Sequence, residues 1–272
     1  MGKALASMAV IAAAIVSGCA SGPPAFPDAR DAIILVVDGA TPAPGQYAIP
    51  ESQVYVSGSN WSTGVANSVG IAVLGVSGIA LGAAADEIRH RAAIGERQSI
   101  IAFRYEKLVS ARLRDAALSG GPTSASPSRV VLIPKAHLMR SGDNAALMCV
   151  LEAKYSVGGM AESYVHRTYT YTAPRMRPLH GPGGWTDHDG AEFRATTEVA
   201  FRALVDAFAA DWQGQLSPAK GRKVEIRRAD MKEARAMMML RENGDHVIVA
   251  GGTTDSPRMD SIVVIERGAL VP

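Results

Sequence analysis

The sequence predicts an α+β fold in which a meander of antiparallel strands is covered by amphipathic helices, and three observations carry that expectation. Residues 129–173 read as successive strands rich in β-branched and aromatic side chains, with a Gly-Gly turn between two of them. Glu192 to Trp212 repeats apolar residues at helical spacing. The chain has 272 residues, of which 47% are hydrophobic and 20% charged, a balance that supports a packed core and not a disordered chain.

Taken in order, Ala32 to Val37 is a short apolar run closed by Asp38-Gly39, which suits a buried strand. Pro42, Pro44 and Gly45 make a loop, and Gln53 to Val56 a second strand. Gln98 to Leu118 reads as one helix, with Ile101, Tyr105, Leu108, Val109, Leu113 and Ala116 on one face. Gly120-Gly121-Pro122 stops it, and a Ser/Pro-rich loop runs to Ser128. Arg129 to His137 is a strand in which Pro134 predicts an edge or a bulge near the end. Ala145 to Val157 and Glu162 to Ala173 form a hairpin through Gly158-Gly159.

Pro174 to Gly190 is a loop. The helix that follows carries Phe193, Thr197, Ala200, Phe201, Leu204, Phe208 and Trp212 as its apolar stripe, with Arg194, Glu198, Arg202 and Asp206 away from its centre. Beyond Gly214 and Pro218 the reading is strand (Val224–Arg227), helix (Met231–Glu242), then strands at His246–Ala250 and Ser261–Glu266. Asp230 and Glu233 fit a helix start, and Asn243-Gly244 a helix stop.

Charge and cysteine count exclude several classes. Lys plus Arg is 28 against Asp plus Glu 26, a formal net charge of +2, so the basic excess of a phosphate-binding, nucleic-acid protein is missing. Two cysteines rule out a disulfide scaffold and a Cys-only zinc site.

The N-terminus is an address. Lys3 is followed by an apolar run from Ala4 to Val16, too short for a comfortable membrane span and of signal-peptide length, ending in Val16-Ser17-Gly18-Cys19. This resembles the lipobox of bacterial lipoproteins: an aliphatic residue, two small residues and a cysteine. The resemblance implies a signal peptide over residues 1–18, cleavage after Gly18, and a Cys19 carrying a diacylglyceryl thioether and an acylated amine such as a palmitoyl amide. Two or more acyl chains anchor stably, at about 0.8 kcal/mol per buried CH₂. Ala20, and not Asp, follows the cysteine. In enteric-type sorting that implies the outer membrane, with the inner membrane the other destination. Residues 19–31, with Pro23, Pro24 and Pro27, read as an extended lipidated tether, and residues 32–63 as short strands and loops.

Gly64 to Ala85 holds no charge and is rich in small residues, among them Gly70, Gly75, Gly78 and Gly82. Three readings stand: a transmembrane helix with Arg89 and Arg91 on its cytoplasmic side, a helix that packs on protein or inserts shallowly through the GxxxG step at Gly78–Gly82, or a buried core helix. Residues 86–272 form the α+β domain. Its order over 99–213 (helix, three strands, helix) resembles the periplasmic lipoproteins of the penicillin-binding-protein-activator and curli-secretion type, in element order only.

Chemistry-bearing residues are few. Cys149 lies in the apolar Leu147–Leu151 and reads as a buried hydrophobe. His180, Asp187, His188 and Asp189 offer metal-ligand types in a Gly-rich loop, in no standard ligand spacing, against the plainer reading of a solvated turn before a helix. Trp185 in that loop reads as a packing plug or a ligand stacker. His137 and His166 fall on strands that bring them within reach of each other if the register allows. Met237-Met238-Met239, placed on the last helix, reads mainly as core filling. No GxSxG, HExxH, P-loop or dinucleotide motif occurs.

The resulting expectation is a lipid-anchored envelope lipoprotein without catalysis or cofactor. It faces the periplasm and binds a protein partner or another copy of itself, and no nucleic acid. The competing expectation is a lipid-anchored metal-assisted hydrolase using the 180–192 loop.

Overall fold

The computed structural model describes residues 32–35, 46–58, 85, 87–116, 129–156, 164–227 and 233–271. Cys19, the tether and the stretch 64–84 with Gly70, Gly75, Gly78 and Gly82 lie outside the described residues.

The fold is mixed α+β, built on one sheet that is mostly antiparallel. In chain order its strands are β1 (Ala32–Leu35), β2 (Gln46–Ala48), β3 (Val54–Gly58), β4 (Arg129–Ser141), β5 (Asn144–Ser156), β6 (Tyr164–Thr172), β7 (Arg177–Pro178), β8 (Arg222–Ile226), β9 (Arg235–Asn243), β10 (His246–Gly252) and β11 (Pro257–Glu266). The spatial order is β2-β3-β4-β5-β6-β11-β10-β9-β8, with β1 against β4 and β7 against β5. Two antiparallel meanders, β4–β6 and β8–β11, meet where β11 runs parallel to β6, with Ser261 opposite Thr168 and Val264 opposite Tyr171. The helices are α1 (87–94), α2 (Glu106–Asp115) and α3 (Ala191–Trp212).

Helix α3 follows its predicted stripe: Phe193, Thr197, Ala200, Phe201, Leu204, Phe208 and Trp212 are all buried. Tyr169 of β6 meets Phe208 edge-on at 5.8 Å between ring centroids, and Tyr105 lies 4.4 Å from Phe201. Each large side chain removed from water here contributes about 1.5–3 kcal/mol. The helix thereby fixes itself across β5, β6 and β11.

Three expectations need correction. The segment 98–118 is not one helix. Residues Gly95–Ile101 form a 3₁₀ helix, and α2 begins at Glu106. Between them the backbone bonds to Gln53: its N–H donates to the Phe103 carbonyl at 2.9 Å, and its side-chain oxygen accepts from the Tyr105 N–H at 2.7 Å. Hydrogen bonds that a helix would keep within itself are here made to another segment.

The predicted helix Met231–Glu242 is also wrong, because Arg235–Asn243 is strand β9, paired with both β8 and β10. Met237 and Met239 are buried while Met238 between them is half-buried, the alternation of a strand. Asn243-Gly244 is not a helix stop but part of the β9–β10 turn, with Gly244 at φ 59°.

Pro134, finally, lies neither near the end of its strand nor at a bulge, but it does face a local gap in the pairing. It is internal to β4, opposite Leu151 of β5. On the other side of β4, β1 ends opposite Leu132 and β3 begins opposite Ala136. The Ala136 N–H reaches that side, donating to the Gln53 carbonyl. Pro134, two residues earlier, therefore turns its donor-less nitrogen into the gap between β1 and β3, where no ladder bond is lost.

Strands β10 and β11 are buried on both faces. Ile248, Ala250, Ile262 and Val264 belong to the main core, whereas Val247, Val249, Val263 and Ile265 join Ile226, Met237 and Met239 in a second cluster. After β11 the chain doubles back, and Leu270 bridges to Ile226 of β8, packing on that second cluster. Register shifts in β10, after Ile248 and after Ala250, add the twist that lets the sheet curl so far.

Candidate functional site

The loop between β6 and α3 is the site the sequence singled out, and two of its four candidate ligands, His180 and Asp187, are engaged in holding the loop. His180 Nε2 donates to the Ala93 carbonyl at 2.6 Å, and its Nδ1 lies 3.0 Å from Thr186 Oγ1. The imidazole thereby ties the loop to α1. The Asp187 carboxylate accepts from the Gly183 N–H at 2.7 Å and from the His188 N–H at 3.0 Å. Those amide donors, the Gly183 N–H first, hold its carboxyl below the usual range. His188, Asp189 and Gly190 are successively left-handed, at φ 46°, 55° and 74°. A side chain at Gly190 would lie 3.0 Å from the Ile100 carbonyl, so the left-handed backbone and the close approach both favour glycine there. The His188 side chain is 86% exposed and lies 3.3 Å from Asp187. Among the described residues, no three His, Cys, Asp or Glu side chains gather as a metal would need.

Trp185 is buried, donates from Nε1 to the Ala145 carbonyl at 2.9 Å and meets Phe193 edge-on. It is a packing plug that pins the loop to β5. Cys149 is fully buried in the main core, and burial pushes its thiol well above the usual range, the opposite of an activated nucleophile. His137 and His166 do not meet. His137 pairs with Met148 and His166 with Lys154, six residues further along β5. His137 is buried and stacks on Tyr55, with ring centroids 5.3 Å apart. His166 sits 3.6 Å from Glu152, which also takes Lys135 at 3.2 Å. Burial raises the Glu152 carboxyl, but the His166 and Lys135 contacts outweigh it and bring the group down to about 2.

Beside the loop lies a groove of about 430 Å³, a volume in the range of small-ligand sites. Its floor and walls come from Tyr171, Arg175, Arg177, Glu192, Val199 and Glu266. Arg177 is committed to Glu192 at 2.6 Å and stacks on Trp185, its guanidinium 5.7 Å from the ring. Tyr171 donates to Glu266 at 2.7 Å. Val199, 45% exposed, gives this charged cleft an apolar wall together with Ala173, Pro174 and Ala195. Sequence reasoning missed this groove. Tyr171 and Glu266 are 95 residues apart and become neighbours only through the parallel β6–β11 pairing.

No protein family matches this chain, and neither a curated protein nor a solved structure is significantly similar to it.

Proposed function

We propose that this chain is a bacterial cell-envelope lipoprotein, acylated at Cys19 and held at the outer membrane facing the periplasm, that acts as an accessory or binding protein and not as a catalyst. The single observation that carries the proposal is Val16-Ser17-Gly18-Cys19 at the end of a short apolar run behind Lys3. Ala20 supports the outer-membrane destination. The binding role is supported by how the candidate chemical groups are used: His180, Asp187 and Trp185 hold a loop, and Cys149 fills core. The groove lined by Arg175 and Val199 is the place where a bound group would find both charge and apolar surface.

The test compares wild type with Cys19→Ala in a bacterium with two membranes, by incorporation of labelled palmitate and by membrane fractionation. Labelled protein in the outer-membrane fraction, lost in the variant, is the expected result. Unlabelled wild type, or a variant that fractionates identically, overturns the anchor. Crosslinking at the groove should capture an envelope protein or a second copy. Hydrolytic turnover by the purified chain would overturn the non-catalytic half.

A further inference from the structure

The uncharged stretch 64–85 leaves open whether the chain crosses a membrane between its N-terminal strands and its main domain, and the fold around it bears directly on the answer. Upstream, β2 and β3 are part of the sheet. Val54 to Gly58 run parallel to Ala136 to Arg140, and Tyr47, Ile49, Val54 and Val56 are buried in the main core. Downstream, Ile94, Ile101, Tyr105 and Val109 are buried in that same core. The two flanks also touch directly. Tyr47 Oη donates to Gln98 Oε1 at 2.8 Å, the Arg91 guanidinium stands 5.3 Å from the Tyr47 ring, and Gln53 bonds to Phe103 and Tyr105. A hydrophobic core cannot be shared across a bilayer, whose hydrocarbon layer is about 30 Å thick.

We infer that the two segments that flank the apolar stretch, residues 46–58 and 87–116, lie on the same side of any membrane the protein meets, because they are built into one core. The arginines after the stretch, Arg89 and Arg91, therefore carry no positive-inside meaning: they belong to the same folded body as β3, and Arg91 pairs with Glu87 at 2.9 Å. The same-side conclusion stands without the lipid anchor. Together with the proposed acylation of Cys19, it puts the whole described body in the periplasm.

The experiment places a cysteine on each flank of the full chain, Pro50→Cys and Ser99→Cys in separate variants, both at exposed positions. Cells are treated with a membrane-impermeant maleimide before and after each membrane is opened in turn. Buried Cys149 adds no signal in the folded protein. Both sites should become labelled at the same step and to the same extent. One site labelled only after the inner membrane is opened, while the other reacts earlier, overturns the inference. Repeating the pair in the Cys19→Ala background separates the two proposals. Failed lipidation with co-labelled flanks sinks the anchor alone, whereas lipidated protein with split labelling sinks the same-side inference alone.

Discussion

Arg167, in the middle of β6, forms an ion pair with Asp211 in the last turn of α3, and both side chains are only 5% exposed. The Tyr169 hydroxyl donates to the same Asp211 oxygen at 2.6 Å. Asp211 lies at the helix end where the macrodipole disfavours an anion, so its charge is balanced by Arg167 and not by the helix. Burial opposes the charge on Arg167, but the hydrogen bond and attraction of Asp211 outweigh it and raise the guanidinium pKa above its usual value. The pair fixes the height of α3 over the sheet. Removing either partner strands the other in the core.

Arg167→Ala or Asp211→Ala is therefore expected to cost about 3–5 kcal/mol, and Tyr169→Phe about 1 kcal/mol. Replacing both partners, as Arg167→Met with Asp211→Leu, should recover most of that loss, because apolar side chains need no counter-charge. Denaturant midpoints for the four variants decide this. A double variant as unstable as the singles would mean that the pair contributes more than charge compensation.

His137 makes stability depend on pH below neutrality. Burial, then nearby Lys135, lowers its pKa to about 4, with Glu152 opposing. The unfolded chain takes up this proton near the ordinary histidine value of about 6.5, before the folded chain does. The stabilising difference is thus fully present above that value and is lost as pH falls from there towards 4, at a slope of up to about 1.4 kcal/mol per pH unit. The unfolding free energy of wild type should fall more steeply than that of His137→Phe as the pH drops from 7.5 to 4. Parallel curves would show that His137 is not the responsible group.

How much of this was legible in the sequence depended on how local the deciding interaction was. Helix α3 was read almost to the residue, because its seven-residue stripe is both the signal and the packing face. The two strands β5 and β6 and their antiparallel pairing are legible for the same reason, while the Gly158-Gly159 turn lies outside the described residues. In Met231–Glu242 the alanine, methionine, leucine and arginine composition favours a helix, but pairing with β8 and β10 prevails, and only the buried–half-buried–buried order of Met237, Met238 and Met239 records it. The groove and the Ile226–Leu270 closure were out of reach, since each joins residues that only tertiary pairing makes neighbours. In the 180–190 loop the sequence displays the residue types but not their bonding partners. A histidine bonded to a carbonyl 87 residues away has the same local sequence as one awaiting a metal.

Gln53 predicts a local effect. Its side-chain oxygen is the acceptor for the Tyr105 N–H, and its own N–H reaches Phe103, so it interrupts the helix that 98–118 would otherwise form. Gln53→Leu keeps the bulk and removes that acceptor, leaving a buried N–H unpaired at a cost of about 1–3 kcal/mol. Amide exchange at Tyr105 should then accelerate by about tenfold or more, while amides in α3 change little. Uniform acceleration across the domain would assign Gln53 to global stability and not to this break.

The loop before α3 separates a structural from a metal-binding histidine by substitution alone. His180 donates to the Ala93 carbonyl and contacts Thr186, so His180→Ala removes the tie between the loop and α1 and should cost about 1–2 kcal/mol, with faster exchange at Trp185 and Thr186. The His188 side chain is 86% exposed and pairs with Asp187 at the surface, so His188→Ala should leave stability within about 0.5 kcal/mol of wild type. A metal centre in this loop would give a different pattern. Both substitutions would lower the melting temperature of protein loaded with zinc or manganese, and neither would matter after chelation. Melting curves of wild type, His180→Ala and His188→Ala, each with and without added Zn²⁺ and with a chelator, discriminate the two. A His180→Ala loss that is independent of metal, beside an unaffected His188→Ala, fits the bonds described. Metal-dependent losses in both variants would make this loop a metal site and reopen hydrolytic chemistry for the protein.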